Sequence, residues 1–237
     1  MRRSYKSVGV VVEPRGFAIA LDGKPLKTPA KQPLIVPAEA LALAIAEEWE
    51  SQGETVRPAS MPLTTLATTA IDRLLPDPAA AIAEICGYAN AELLCHRADR
   101  PDELVRHQAR QWQPWLDWIE ARHGARLATG EGVVPIRQSE DALEALRHAA
   151  LRHAGFGLMA LHALTQTLGS IVLALAVAEG ELDAAEAADL ALLDELYQAR
   201  QWGEEPEARL RREAIRDDAA ASARFLALAR NPLKPRD

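Results

Sequence analysis

Hydrophobic and polar positions follow two rhythms along this chain. Near the start the rhythm is that of strands. Val8 to Val12 is a short β-branched run, and Phe17-Ala18-Ile19-Ala20-Leu21 alternates weakly. Asp22-Gly23 comes next, a dipeptide suited to the positive φ values of a type I′ turn. Lys24-Pro25-Leu26-Lys27-Thr28 then reads as the return strand, placed at an edge by Pro25. Leu34-Ile35-Val36 is a further short strand.

From Pro37 the rhythm becomes helical. Pro37 suits the first position of a helix and Gly53 its end. Between them Leu41, Ile45 and Trp49 fall on one face, with Glu39, Glu47, Glu48 and Glu50 largely off it. Met61 to Leu74 is a second helix, stopped by Pro76-Asp77-Pro78, the best domain boundary. Beyond it the spacing predicts helices over 78–92, 101–122, 139–153, 156–179, 183–201 and 206–230. Ser139 and Asp183 are expected N-caps, and Gly124, Gly180 and Gly203 expected stops. Arg126 to Arg137 is the main non-helical interruption. The apolar run Gly157 to Ala178 contains His162, Thr165, Gln166, Thr167 and Ser170, so it reads as a buried central helix rather than a membrane span.

Composition sharpens this division. Of 46 alanines only Ala18, Ala20 and Ala30 precede residue 38, and alanine is the best helix former. The expected fold is α+β: a small N-terminal β-rich domain with packed helices, residues 1–76, followed by a larger all-helical domain, residues 77–237. With 49% hydrophobic and 26% charged residues, a disordered chain is excluded. The net charge of −7 and the lack of a long basic block argue against nucleic acid as a partner. Two cysteines, Cys86 and Cys95, favour a reducing compartment and read as buried small hydrophobes. Met1 to Ser7 is basic but too short for a transit peptide, and no apolar segment follows it. The expected location is the cytoplasm; a mitochondrial matrix location needs a presequence absent here.

Motifs for chemistry are missing. The sequence holds no phosphate loop, no dinucleotide fingerprint, no H-E-x-x-H and no G-x-S-x-G. Cys86, Cys95 and His96 are too irregularly spaced for a zinc knuckle, His148 and His153 leave a common helical face, and His107, His123 and His162 stand alone. No metal or cofactor is expected. Trp112, Trp115 and Trp118 form a stripe that reads either as core or as an aromatic binding surface, and Trp49 shares that ambiguity. Trp202-Gly203-Glu204-Glu205-Pro206-Glu207 is the densest unusual segment. It reads either as first-turn acids at a helix N-terminus or as an acidic knuckle, held between two helices, that pairs with basic groups on a partner.

Several segments taken together resemble a known family. They are Gly16 to Pro29, Glu48-Trp49, Met61-Pro62-Leu63-Thr64-Thr65-Leu66-Ala67-Thr68-Thr69-Ala70-Ile71-Asp72-Arg73, Leu93 to Ala98, and Trp202 to Glu207. The set resembles the F1-ATPase assembly chaperones that bind the alpha subunit, the Atp-twelve family of mitochondria and some bacteria. His96 stands where the family often has Tyr. The resemblance implies a β-rich domain followed by a helical one. It also implies a non-enzymatic role: holding the free F1-ATPase alpha subunit until beta subunits take over the same surface. It points to Glu204, Glu205 and Glu207, with Trp202 and Trp49, as partner-binding residues in a chain expected to be monomeric. The alternative is an enzyme with an unfamiliar site at the domain junction, with His96, Asp72 and Arg73 as first suspects.

Overall fold

A computed structural model describes residues 2–132 and 136–230. The described chain falls into two compact units. The first holds residues 2–78, 154–160 and 221–230; the second holds residues 79–153 and 161–220. Strands are concentrated in the first unit and helices dominate the second, as an α+β chain requires.

The first unit is built on a small antiparallel sheet. Strands β1 (Val8–Glu13) and β2 (Gly16–Leu21) pair along their whole length, from Val8 opposite Leu21 to Glu13 opposite Gly16. The far side of β2 is shared by β3 (Lys24–Pro25) and β4 (Ile35–Val36). The expected type I′ turn is present: φ is +48° at Asp22 and +74° at Gly23, and Leu21 pairs with Lys24 across it. The return strand is only two residues long. Past Pro25 the segment is held by single bonds, Leu26 N–H to Ile19 O and Thr28 N–H to Gln32 O.

Helix α1 (Glu39–Glu50) buries Leu41, Ile45 and Trp49 together with Ala42 and Ala44, the face its spacing predicts. It starts two residues after Pro37, because Ala38 is still extended and acts as the N-cap. Helix α2 (Pro62–Thr69) follows, and its last turn, Ala70–Leu74, widens to a π-turn before Pro76. Phe156 and Phe225, far apart in sequence, stack in this unit with centroids 5.9 Å apart.

The second unit packs around α7 (Ile171–Glu179). Residues 171–178 are all buried, so this helix is apolar on every side, as a central core helix must be. Against it pack α4 (Asp102–His123), α5 (Glu140–Leu151) and α8 (Ala184–Ala191), and the unit also holds α3 (Pro78–Ala89) and α9 (Leu193–Trp202), while α6 (Gly155–Leu168) and α10 (Pro206–Ala229) contribute to both units. Strands β5 (His96–Arg97) and β6 (Gly130–Glu131) add a two-residue parallel pair with no counterpart in the sequence pattern.

Two expected helices are each divided in two. The span 156–179 breaks at Gly169-Ser170. Gly169 has φ +65°, and Ser170 is extended, with its Oγ accepting from the Leu173 N–H. The span 183–201 is interrupted at Leu192, which caps α8 and starts α9. No helix among the described residues is long and apolar enough to cross a membrane.

Candidate functional site

The carboxylates of this chain divide into those that hold the backbone and those that face outward. Glu48, on α1, accepts from the N–H groups of Leu63 and Thr64 at 2.7 and 2.8 Å and from the Thr64 hydroxyl at 2.6 Å. It therefore caps α2 from a neighbouring helix and satisfies donors that Pro62 and Met61 leave open. Asp72 accepts from Thr28 Oγ at 2.5 Å and from the Ala30 N–H at 3.0 Å, which pins the loop after β3. The stretch Met61–Arg73, together with Glu48, is thus the internal bracing of the first unit. Arg73 beside it is exposed.

Glu92 does the same work in the second unit. It is 1% exposed. One oxygen takes the Ser170 hydroxyl at 2.5 Å and the Leu94 N–H at 3.3 Å; the other takes the N–H groups of Ile171 and Val172 at 3.0 and 3.4 Å. Burial outweighs these four donors and pushes its pKa up to about 7. His96 sits next along the chain in β5, paired with Gly130. Cys95 is buried, and desolvation raises its thiol to about 12, whereas Cys86 is only half-buried. No cluster among the described residues could hold a metal ion.

The tryptophan stripe turns out mixed. Trp112 is 1% exposed and donates its indole N–H to Leu190 O at 2.9 Å. Trp115 and Trp118 are half-buried and meet edge to face, with centroids 6.2 Å apart. A three-residue spacing turns about 60° short of a full circle, so the stripe walks off the core face. Two of the three lone histidines are partnered. His123 lies 2.8 Å from Glu179, and His162 lies 2.6 Å from Glu84. Trp49 is 8% exposed, edge to face with Tyr5, whose hydroxyl donates to Trp49 O at 2.7 Å. Its ring serves the core of the first unit.

The outward acids gather at the corner between α9 and α10. Helix α9 ends at Trp202, which is 78% exposed, and α10 starts at Pro206, where proline costs no helical hydrogen bond. Gly203, Glu204 and Glu205 make the connection. A notch of about 450 Å³ lies in this corner, lined among others by Glu195, Trp202, Glu204, Glu205 and Arg212. The acids around it are not equivalent. Glu204 is hydrogen-bonded to Arg212, whose guanidinium side is buried at 3% exposure, so this pair locks the corner to α10. Glu195 is paired with Arg211. Glu205 and Glu207 are exposed and make no ion pair among the described residues. Glu207 lies in the first turn of α10, where the helix dipole favours its charge. Leu210, one turn further on, is 59% exposed. The corner therefore presents an indole and a leucine among unpaired carboxylates.

Glu92, Ser170 and Arg212 carry structural weight that spacing did not reveal. Gly169-Ser170 inside an apolar run is the one local signal, a stop followed by an N-cap.

Comparison with known proteins adds the family. Residues 2–120 match the model of the ATP12 chaperone protein family. The mitochondrial protein atp12 of Schizosaccharomyces pombe is 24% identical over 235 residues, covering 94% of this chain and 81% of that protein. The crystal structure of Atp12 from Paracoccus denitrificans superposes with a TM-score of 0.91 at 43% identity, covering 97% of this chain and 98% of the other. A solved structure from Agrobacterium tumefaciens gives a TM-score of 0.90 at 43% identity over 96% of this chain and 85% of its own. The chain belongs to the ATP12 chaperone family, the F1-ATPase assembly chaperones that its motifs resemble.

Proposed function

We propose that the protein binds the unassembled alpha subunit of F1-ATPase, one chain to one subunit, and shields its subunit interface until beta subunits replace it. An orphaned ring subunit exposes more apolar surface than a soluble monomer tolerates, and covering that surface blocks aggregation. Release then requires that the native neighbour bind better than the chaperone, so the chaperone must bind with limited affinity.

The corner between α9 and α10 supports this reading. Trp202 and Leu210 offer apolar contact, and Glu205 and Glu207 bring unpaired charge to a rigid turn that the Glu204–Arg212 pair braces. Basic side chains on the alpha subunit are the complementary chemistry. The role is non-enzymatic: the carboxylates with the richest hydrogen bonding, Glu48, Asp72 and Glu92, are spent on backbone N–H groups and hydroxyls rather than aimed at a substrate. The cytoplasm is the proposed compartment, consistent with two free cysteines.

The single observation that carries the site is an exposed Trp202 beside the unpaired Glu205. Co-expression with the alpha subunit is expected to raise that subunit's soluble yield. The double variant Glu205→Lys with Glu207→Lys is expected to lose this effect while its melting temperature stays unchanged. Normal capture by a normally folded double variant overturns the site; no gain in yield with wild type overturns the role.

A further inference from the structure

The outer edge of β1 has no strand beside it among the described residues, although the other side of β2 is filled by β3 and β4. The Asp22 N–H donates to Ser7 O at 3.0 Å and Ile19 O accepts from Leu26 on the other side of β2, so Ser7 and Asp22 stand at a hydrogen-bonding position of the β1–β2 ladder. Such positions alternate along an antiparallel ladder. The inward groups of β1 therefore belong to Gly9, Val11 and Glu13, and the N–H and C=O groups of Val8, Val10 and Val12 point outward. Natural edges are usually guarded by proline, lysine, a bulge or a cover. Val8–Val12 carries none of these. Val11 is 42% exposed and Val12 74%, and they point to opposite faces of the sheet. No atom lies within 4 Å of where a Cβ would stand on Gly9, so the space above it is open.

We propose that this edge is a strand-addition site for an extended, apolar segment of an unassembled F1 subunit, running antiparallel to β1. The proposal rests on the chaperone reading above, which supplies a client with an uncovered apolar interface. Antiparallel pairing is the slightly more stable ladder per residue, and it sets the direction. Lys6 and Glu13 flank the edge; Lys6 lies near the Asp22 carboxylate without closing an ion pair on it, and Glu13 makes no ion pair among the described residues. The matching segment carries a basic residue at its N-terminal end, facing Glu13, and an acidic one at its C-terminal end, near Lys6. Between them lie β-branched residues, with a bulky side chain over Gly9. A second copy of this chain fits less well. In both copies the outward groups belong to even-numbered residues, so an even-numbered residue must face an even-numbered one, and Lys6 cannot come opposite Glu13.

Amide exchange tests the site on the full chain, alone and with the alpha subunit. Alone, the amides of Val8, Val10 and Val12 exchange fast while those of Gly9, Val11 and Glu13 are protected. In the complex the first three slow by roughly tenfold or more. Val10→Pro removes an outward donor that the β1–β2 ladder does not use, and it weakens capture by roughly tenfold. Val12→Lys, a surface change that leaves the ladder untouched, does the same and covers the case in which the proline variant fails to fold. Unchanged exchange in a complex that forms normally overturns the edge and leaves the chaperone role standing. No complex with wild type overturns both. A homodimer in light scattering that Val12→Lys dissolves shows a self-interface and overturns the client proposal.

Discussion

Glu92 and Glu205 are the same side chain in opposite surroundings. Glu92 lies in the core of the second unit, surrounded by four donors, and its carboxylate holds the start of α7. Glu205 stands on an exposed turn with no ion pair among the described residues, beside an indole that packs on nothing extensive. The first acid is consumed by the fold, and the second is left over. The same contrast separates Glu204 from Glu205, one residue apart: Arg212 claims the first and leaves the second free. In a protein whose task is to hold another chain, the acids that the fold does not need are the ones available to the partner.

The contrast makes graded predictions. Removing Glu92 should have the largest effect. Glu92→Ala leaves the Ser170 hydroxyl and the N–H groups of Ile171 and Leu94 buried without a partner, at a cost of about 3 kcal/mol in urea unfolding. A loss below about 1 kcal/mol breaks the idea that this carboxylate anchors α7.

Titration comes next. The folded pKa of Glu92, about 7, lies above the ordinary glutamate value of 4.5, so the folded state binds the extra proton between those values. Its contribution to stability is fully present below about pH 4.5 and is lost as the pH rises through 7. Between pH 5.5 and 8 the wild type should lose about 2 kcal/mol more than Glu92→Gln, which has no proton to release. Parallel pH profiles for the two proteins are the contrary result.

Arg212→Ala should cost about 1–2 kcal/mol, because it removes a buried stem and frees Glu204. It should also weaken alpha-subunit capture by loosening the corner, and capture at the wild-type level would show that the brace is dispensable. Smallest of all in stability is Trp202→Ala, expected within about 0.5 kcal/mol of wild type. Its effect should appear in capture alone, read by pull-down. A cooperative destabilisation by this variant would move Trp202 from the outward class to the structural one.

The family motif shows how function and scaffold mix in a sequence. The longest recognisable stretch, Met61 to Arg73, makes its identifiable contacts within the first unit. Leu63 and Thr64 present their N–H groups to Glu48, and Asp72 holds Thr28 and Ala30. Asp72 was a first suspect for an unfamiliar active site because sequence reveals residue type and not partner. The corner at Trp202 was legible for the opposite reason. A glycine stop, a proline start and adjacent acids are all local signals, and exposure follows from the tight connection they make.

Local rules were enough to locate most of the elements. The stripe Leu41, Ile45, Trp49, the turn at Asp22-Gly23 and the caps at Ser139 and Asp183 depend on residues within a few positions of each other, and sequence alone determined them. Tertiary structure decided what depends on residues far apart. The break between α6 and α7 is stabilised by Glu92, 78 residues before Ser170, and the free edge of β1 exists because other strands take the far side of β2. Propensity and capping act over a turn or two of chain, whereas burial and pairing depend on whatever the fold brings alongside.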